Sequence, residues 1–301
     1  MSLPPEYEPA EIAALAARHG LSVEPESLEL NQAGLDFLVA FARAGDGTDW
    51  VLRIPRRPDA AEKAVLEART LDLVRPYLPV AVPDWRVRSA GLIAYPRLPG
   101  KPGLTYDPQT GETVWHLDRE SPVFARSFAR ALAALHAVPV EEARSAGLPV
   151  LAPAEARAQY RRDMEQVRTE LGVSPELWER WQGWLADETL WPDFSVLIHG
   201  DLYAAHVLVD DESRALGILD WTEARVGDPA ADFMFHLMGF GEEGFDRLVR
   251  EYVAAGGRVW PRLREHCEQM LSAFAVNYAL FALTTGDEQH LALARQQLGV
   301  A

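Results

Sequence analysis

One cysteine, Cys267, stands in 301 residues, which excludes an intramolecular disulfide and any cysteine-based zinc cluster. A reducing compartment suits such a chain, and a cytoplasmic location is expected. Long apolar runs are missing too: none approaches the roughly 20 residues that a bilayer-spanning helix needs. The opening Met1-Ser2-Leu3-Pro4-Pro5-Glu6 lacks the basic segment and apolar core of a secretory signal, so no membrane association is expected. Positive charge is scarce. Lys and Arg number 29 against 45 Asp and Glu, a formal charge of −16, which repels nucleic acid phosphates. The same acidity fits a cationic small substrate as well as a surface kept soluble by charge, and charge alone does not choose. No internal repeat or low-complexity segment is evident. What is present, 48% hydrophobic and 25% charged residues, describes a soluble globular chain, and its length favours about two domains.

The most informative stretch is 195–223, SVLIHGDLYAAHVLVDDESRALGILDWTE. Val196-Leu197-Ile198, Val207-Leu208-Val209 and a run around Leu216-Gly217-Ile218-Leu219 are short, branched and bounded by polar residues, and they predict buried strands. Asp210-Asp211-Glu212-Ser213-Arg214 supplies turn chemistry that makes the last two a hairpin. Asp201 follows the first strand, His206 opens the second five positions later, and Asp220 closes the third, 19 positions after Asp201. Each alone is an ordinary turn former or strand histidine. Together, in this order, they suit phosphoryl transfer, in which one carboxylate orients a hydroxyl while a carboxylate and a neighbouring ligand hold magnesium against phosphates. Such catalysis is mainly positioning and charge neutralisation, so a few polar groups at rigid strand ends suffice. The order is also that of the protein-kinase catalytic Asp, metal-binding residue and metal-binding Asp.

Upstream, Ile12, Leu15 and Ala16 have helical spacing and Gly20 is a stop signal. Residues 27–42 and 49–54 alternate short apolar runs with turn residues, as a small antiparallel sheet does. Asn31-Gln32-Ala33-Gly34, with one glycine, is a poor phosphate loop by motif and reads at least as well as an ordinary hairpin turn. Leu92 to Gly100 predicts a strand running into an extended, proline-bearing segment. Residues 103–121 predict a hairpin insertion.

Ser121-Pro122 opens a helix whose Phe124, Phe128, Leu132, Leu135 and Val138 form a core stripe. Further helices are expected at 153–171, 174–187, 231–239 and 242–255. Trp178, Trp181 and Trp184 share a face that packs on a neighbour or borders an apolar ligand. Residues 261–283 are apolar nearly all round, so this helix is either fully buried or offers one face to a large apolar ligand.

The combined HGDLYxxHVLV, ILDW and GDPxxD pattern resembles the aminoglycoside-phosphotransferase branch of the protein-kinase-like fold. WVLRIPRR (50–57), VPDWRV (82–87), ALAALHAVP (131–139) and AAGGRVWPRL (254–263) resemble the macrolide 2′-phosphotransferases in particular. Arg53 and His206 replace the lysine and asparagine of generic members. The resemblance implies an α+β, bilobal fold, with a small antiparallel-sheet N-lobe at 1–96 and a larger, mainly helical C-lobe at 97–301. It implies transfer of the γ-phosphate of GTP, or of ATP, with Mg2+, to the 2′-hydroxyl of the desosamine sugar of macrolides, by a monomeric antibiotic-resistance enzyme.

On these residues, Asp201 would orient or accept the hydroxyl proton, and His206 and Asp220 would hold magnesium. Arg53 would meet the phosphates and pair with Glu67, the other reading being a solvated edge-strand arginine; Arg56, Arg57 and Lys63 compete as cations and Glu62 as the carboxylate. Hinge groups near Pro96 and Leu98, with Leu219, would meet the nucleotide. Met270, Phe274, Asn277, Tyr278 and Phe281 would form the macrolide wall, and His199, Asp228 and Asp232 would support the loop. His136 is expected to be structural. Two rivals remain: a kinase of another alcohol, such as an aminoglycoside, homoserine or choline, and a nucleotide-binding pseudoenzyme, favoured only by the altered residues at 53 and 206.

Overall fold

The computed structural model describes residues 7–31, 36–107 and 110–300, apart from the side chains at 58, 59, 61 and 62. Most of the turn at 31–34 and the Glu62 side chain therefore lie outside the described residues. The fold is α+β, and the chain divides into two compact units, Met1–Leu117 with Ala205–Thr222, and Asp118–Ala204 with Glu223–Ala301. This division differs from a single break at residue 96. Backbone pairing is the reason: Lys101–Pro102 pairs with Val207–Val209, Ala81 bridges to Gly217, and Gly103 N–H donates to the Val207 carbonyl.

In the first unit a five-stranded sheet orders Glu29–Asn31, Phe37–Arg43, Asp49–Pro55, Ile93–Pro96 and Val87–Arg88, every neighbouring pair antiparallel. The period of two sorts its side chains. Leu38, Ala40, Leu52, Ile54, Leu92 and Ala94 pack with Ile12 and Ala16 of the helix Pro9–Arg18. Arg53, one residue out of phase with Leu52 and Ile54, belongs to the opposite face, in register with Val39 and Ile93. The strand Asp49–Pro55 is thus central and buried on both faces, which rules out an edge-strand arginine. Helix Pro58–Val74 follows, and the expected hairpin insertion is present as Leu104–Tyr106 against Thr113–Trp115. The hairpin Val207–Val209 and Ala215–Ile218 turns on Asp210, whose Oδ1 accepts from the Glu212 and Arg214 N–H groups, with Ser213 at φ 63°.

The second unit is mainly helical. Ser121 caps Pro122–His136 by accepting from the Val123 and Phe124 N–H groups, and the predicted stripe is buried. Helices Pro153–Glu170, Pro175–Ala186, Met234–Ala254 and Leu263–Thr285 follow, the third broken at Gly241, where φ is 68°. Trp181 and Trp184 are core, donating to Ser272 and His266, while Trp178 is half-buried under the Arg168 guanidinium. Short helices Val140–Ser145 and Glu288–Gln297 were not anticipated by periodicity. Val196–Ile198 pairs antiparallel with Arg225–Gly227 and places Asp201 just beyond a buried strand. Among the described residues, no helix is long and apolar enough to cross a membrane.

Candidate active site

The first unit carries a cation and two candidate metal ligands. Arg53 is buried, and its Nη1 lies 2.7 Å from Glu67 Oε1, with the guanidinium 4.2 Å above the Phe37 ring. Burial opposes the charge on Arg53, but the Glu67 carboxylate outweighs it and holds the guanidinium above its ordinary value. On Glu67, burial wins over the attraction of Arg53 and leaves the carboxyl above the usual carboxylate range. Arg57 and Lys63 are engaged by Asp36, at 2.6 and 3.8 Å. Tyr95, next in register on the same sheet face, is pushed up to about 12, first by burial.

Asp220 sits at φ 60°, a left-handed conformation that costs a non-glycine residue about 1 kcal/mol. Its Oδ1 accepts from the Thr222 hydroxyl at 2.7 Å and its Oδ2 lies 3.8 Å from His206 Nε2. Thr222 Oγ1 is also 3.5 Å from Glu67 Oε2, linking the candidate metal ligands to the ion pair. Leu219 N–H donates to the His206 carbonyl, so backbone pairing fixes the two ligands together. Among the described residues, no cluster of three or more His, Cys, Asp or Glu forms a closed metal cage. One carboxylate plus one imidazole fits a divalent ion whose remaining ligands are phosphate oxygens and water, the usual manner in which magnesium is held at phosphoryl-transfer sites. The imidazole is the softer of the two donors.

The second unit carries Asp201 and a cavity. Gly200 has φ 88°, and a Cβ there would stand 2.6 Å from the Glu223 carbonyl oxygen, so only glycine fits this step of the loop. Asp232, fully buried, accepts from the His199 N–H at 2.9 Å and the Gly200 N–H at 2.8 Å, and His136 Nε2 lies 3.2 Å from its Oδ2. Burial alone would lift the Asp232 carboxyl; His136, His199 and the Gly200 amide hold it below its ordinary value. His199 Nδ1 in turn accepts from the Asp201 N–H at 3.3 Å. Asp228 braces differently: it accepts from Ala230 N–H and binds His266 Nε2 at 2.8 Å, while His266 Nδ1 accepts from Trp184. His136 is therefore structural, and His266 is a support that the sequence did not disclose.

Asp201 lines a cavity of about 490 Å³, within the size range of drug-sized ligand sites. Met234, Phe235, Met270, Phe274 and Asn277 supply an apolar wall, and Asp163, Glu223 and Asp228 line it with carboxylates against a single cation, Arg225. Burial lifts the Asp163 carboxyl above its usual range against the pull of Gln159 and Arg162. Phe274 is 43% exposed and meets Phe235 edge-on at 5.3 Å. Tyr278 and Phe281, expected in the same wall, are not among the lining residues. His290 engages both, by a 2.8 Å hydrogen bond to the Tyr278 hydroxyl and a ring contact to Phe281 at 5.1 Å. Tyr160 and Asp163 escaped the sequence reading, although Ala156, Tyr160 and Asp163 share a helical stripe.

Residues 27–266 match the profile of the phosphotransferase enzyme family, APH. The chain is 44% identical over 292 residues to the uncharacterized protein YcbJ of Bacillus subtilis (strain 168), covering 96% of this chain and 95% of that one. It is 49% identical to the apoenzyme of macrolide 2′-phosphotransferase MphH from Brachybacterium faecium, with a TM-score of 0.91 and 97% of each chain covered. The GDP complex of an aminoglycoside 2′-phosphotransferase-IIIa shares the kinase-like fold at 21% identity, with a TM-score of 0.78 over 98% of each chain.

Proposed function

The chain belongs to the phosphotransferase enzyme family, and from that premise we propose that it phosphorylates macrolides, moving the γ-phosphate of GTP to the 2′-hydroxyl of the desosamine sugar and so inactivating the antibiotic. The observation that carries this reading is the cavity beside Asp201. A macrolide is large and mostly apolar with one cationic dimethylamino group, and the cavity offers Met270, Phe274 and Phe235 for the ring and Asp163 and Glu223 for the cation. The high identity to MphH supports the same acceptor.

Residues of the second unit receive the acceptor. Asp201 accepts or orients the proton of the 2′-hydroxyl, and its loop is held by Asp232. Residues of the first unit hold the donor. Arg53, kept charged and oriented by Glu67, meets the α- and β-phosphates, and backbone groups near Pro96 and Leu98 pair with the purine edge, with Leu219 beside it. His206 and Asp220 would hold Mg2+, which when bound neutralises charge on the phosphates. Guanine as the base rests on the family resemblance, and the enzyme is read as a monomer of the cytoplasm.

The test measures nucleoside diphosphate release from GTP and from ATP with erythromycin present and absent, together with an aminoglycoside and small alcohols. Erythromycin-dependent turnover, lost in Asp201→Ala, is expected. Turnover with another alcohol alone, or nucleotide binding without turnover, would overturn the assignment in favour of another alcohol kinase or a binding module.

A further inference from the structure

A string of buried polar groups ends on the Asp201 loop and begins at a residue with no evident part in the chemistry. Tyr252, 1% exposed, places its hydroxyl 2.8 Å from His136 Nδ1. His136 Nε2 reaches Asp232, and Asp232 grips the His199 and Gly200 amides. At the near end the ring is held from outside. A Cβ on Gly257 would fall 2.2 Å from Tyr252 Cε1 and Cζ, so the glycine lies flat against the ring, and its N–H donates to the Tyr252 carbonyl at 2.9 Å. Phe233 closes the surroundings with an edge contact to Tyr252 at 5.0 Å and a tilted ring contact to His136 at 6.1 Å.

The directions of these bonds follow from donor and acceptor capacity. The Asp232 carboxylate only accepts, so His136 Nε2 carries the proton. With the proton on Nε2, Nδ1 is left as an acceptor, and the Tyr252 hydroxyl buried beside it places its hydrogen there. We propose that Tyr252, seated on Gly257, is a positioning residue for Asp201: it fixes the tilt of the His136 ring and so keeps Asp232 clamped on the loop backbone. Without the hydroxyl, His136 Nδ1 is a buried acceptor lacking its partner. The ring then loses the contact that sets its tilt, swings away from Asp232 and loosens the clamp. The inference rests on the reading that Asp201 handles the acceptor proton.

The experiment is a double-mutant cycle with Tyr252→Phe and His136→Gln, read by steady-state kinetics and by NMR of the His136 ring and the His199 and Gly200 amides. In the otherwise native protein, Tyr252→Phe should lower kcat about tenfold with both KM values within about twofold. It should also shift the His136 ring nitrogens and both amides. His136→Gln gives Asp232 an amide donor and leaves no ring nitrogen for Tyr252 to hold, so adding Tyr252→Phe to it should lower kcat by less than about twofold. Equal losses in both backgrounds, or unchanged resonances in Tyr252→Phe, would overturn the proposal. Gly257→Ala displaces the same ring by a different route and should give the same kinetic and NMR pattern; it replaces Tyr252→Phe if that protein does not fold. Should the wild type show no transfer to macrolide, the functional reading fails while the NMR arm still decides this one.

Discussion

His236 should make the protein lose stability in mildly acidic solution, and the size of the loss can be worked from its surroundings. The ring is 4% exposed, stacked on Phe240 at 4.0 Å and near Phe128 and Phe124 at 5.9 and 6.3 Å. Its Nε2–H donates to the Gly244 carbonyl at 3.3 Å. Burial in this aromatic sleeve, with Arg247 nearby, pushes the imidazole down to about 3. The unfolded chain would bind a proton there near pH 6.5, so between about pH 6.5 and 3 the unfolded state carries more protons and stability falls as pH falls. The slope approaches about 1.4 kcal/mol per pH unit, giving about 2 kcal/mol between pH 7 and pH 5. The depressed Asp232 carboxyl acts in the same direction but only as pH falls below its ordinary range near 4, so the two windows separate. Urea unfolding of the wild type and of His236→Phe at pH 7 and pH 5 reads the difference, the variant losing about 2 kcal/mol less over that interval. Equal losses in the two proteins would refute the argument.

Glu67→Gln should destabilise the fold by about 3 kcal/mol, because it strips the counter-charge from a buried guanidinium. Denaturant midpoints measure this, and GTP should restore part of the loss if its phosphates supply charge to Arg53. Phe274→Ala should raise the macrolide KM about tenfold and leave the nucleotide KM unchanged, since a half-exposed phenyl contributes about 1.5 kcal/mol on full burial; initial rates at varied concentrations of each substrate would expose an equal effect on both.

The strands that carry the chemistry were legible because each is a short branched run closed by polar residues: Val196–Ile198 and Val207–Val209 have the predicted bounds. The Arg53 and Glu67 pair was legible through the resemblance to the kinase-like fold. Its depth was not, since burial on both faces depends on which strands flank Asp49–Pro55. The helix Leu263–Thr285 shows the limit of periodicity. A helix apolar all round does not say which face is taken, and Tyr278 and Phe281 were claimed by His290 from a C-terminal helix whose polar sequence gave no amphipathic signal. Nothing local on Pro153–Glu170 marked which polar residues face a ligand, and Gln159 and Asp163 line the cavity. Nothing local marked the return of Ala205–Thr222 to the first unit, which is fixed by pairing with residues about a hundred positions upstream.

That return governs how the protein can be recombined. Because the chain enters the first unit again for Ala205–Thr222, neither unit is one continuous length of sequence. A chimera that exchanges only the front of the gene with a relative would graft a foreign sheet onto a native His206 and Asp220 hairpin, and donor specificity would travel only with a two-piece exchange that carries both.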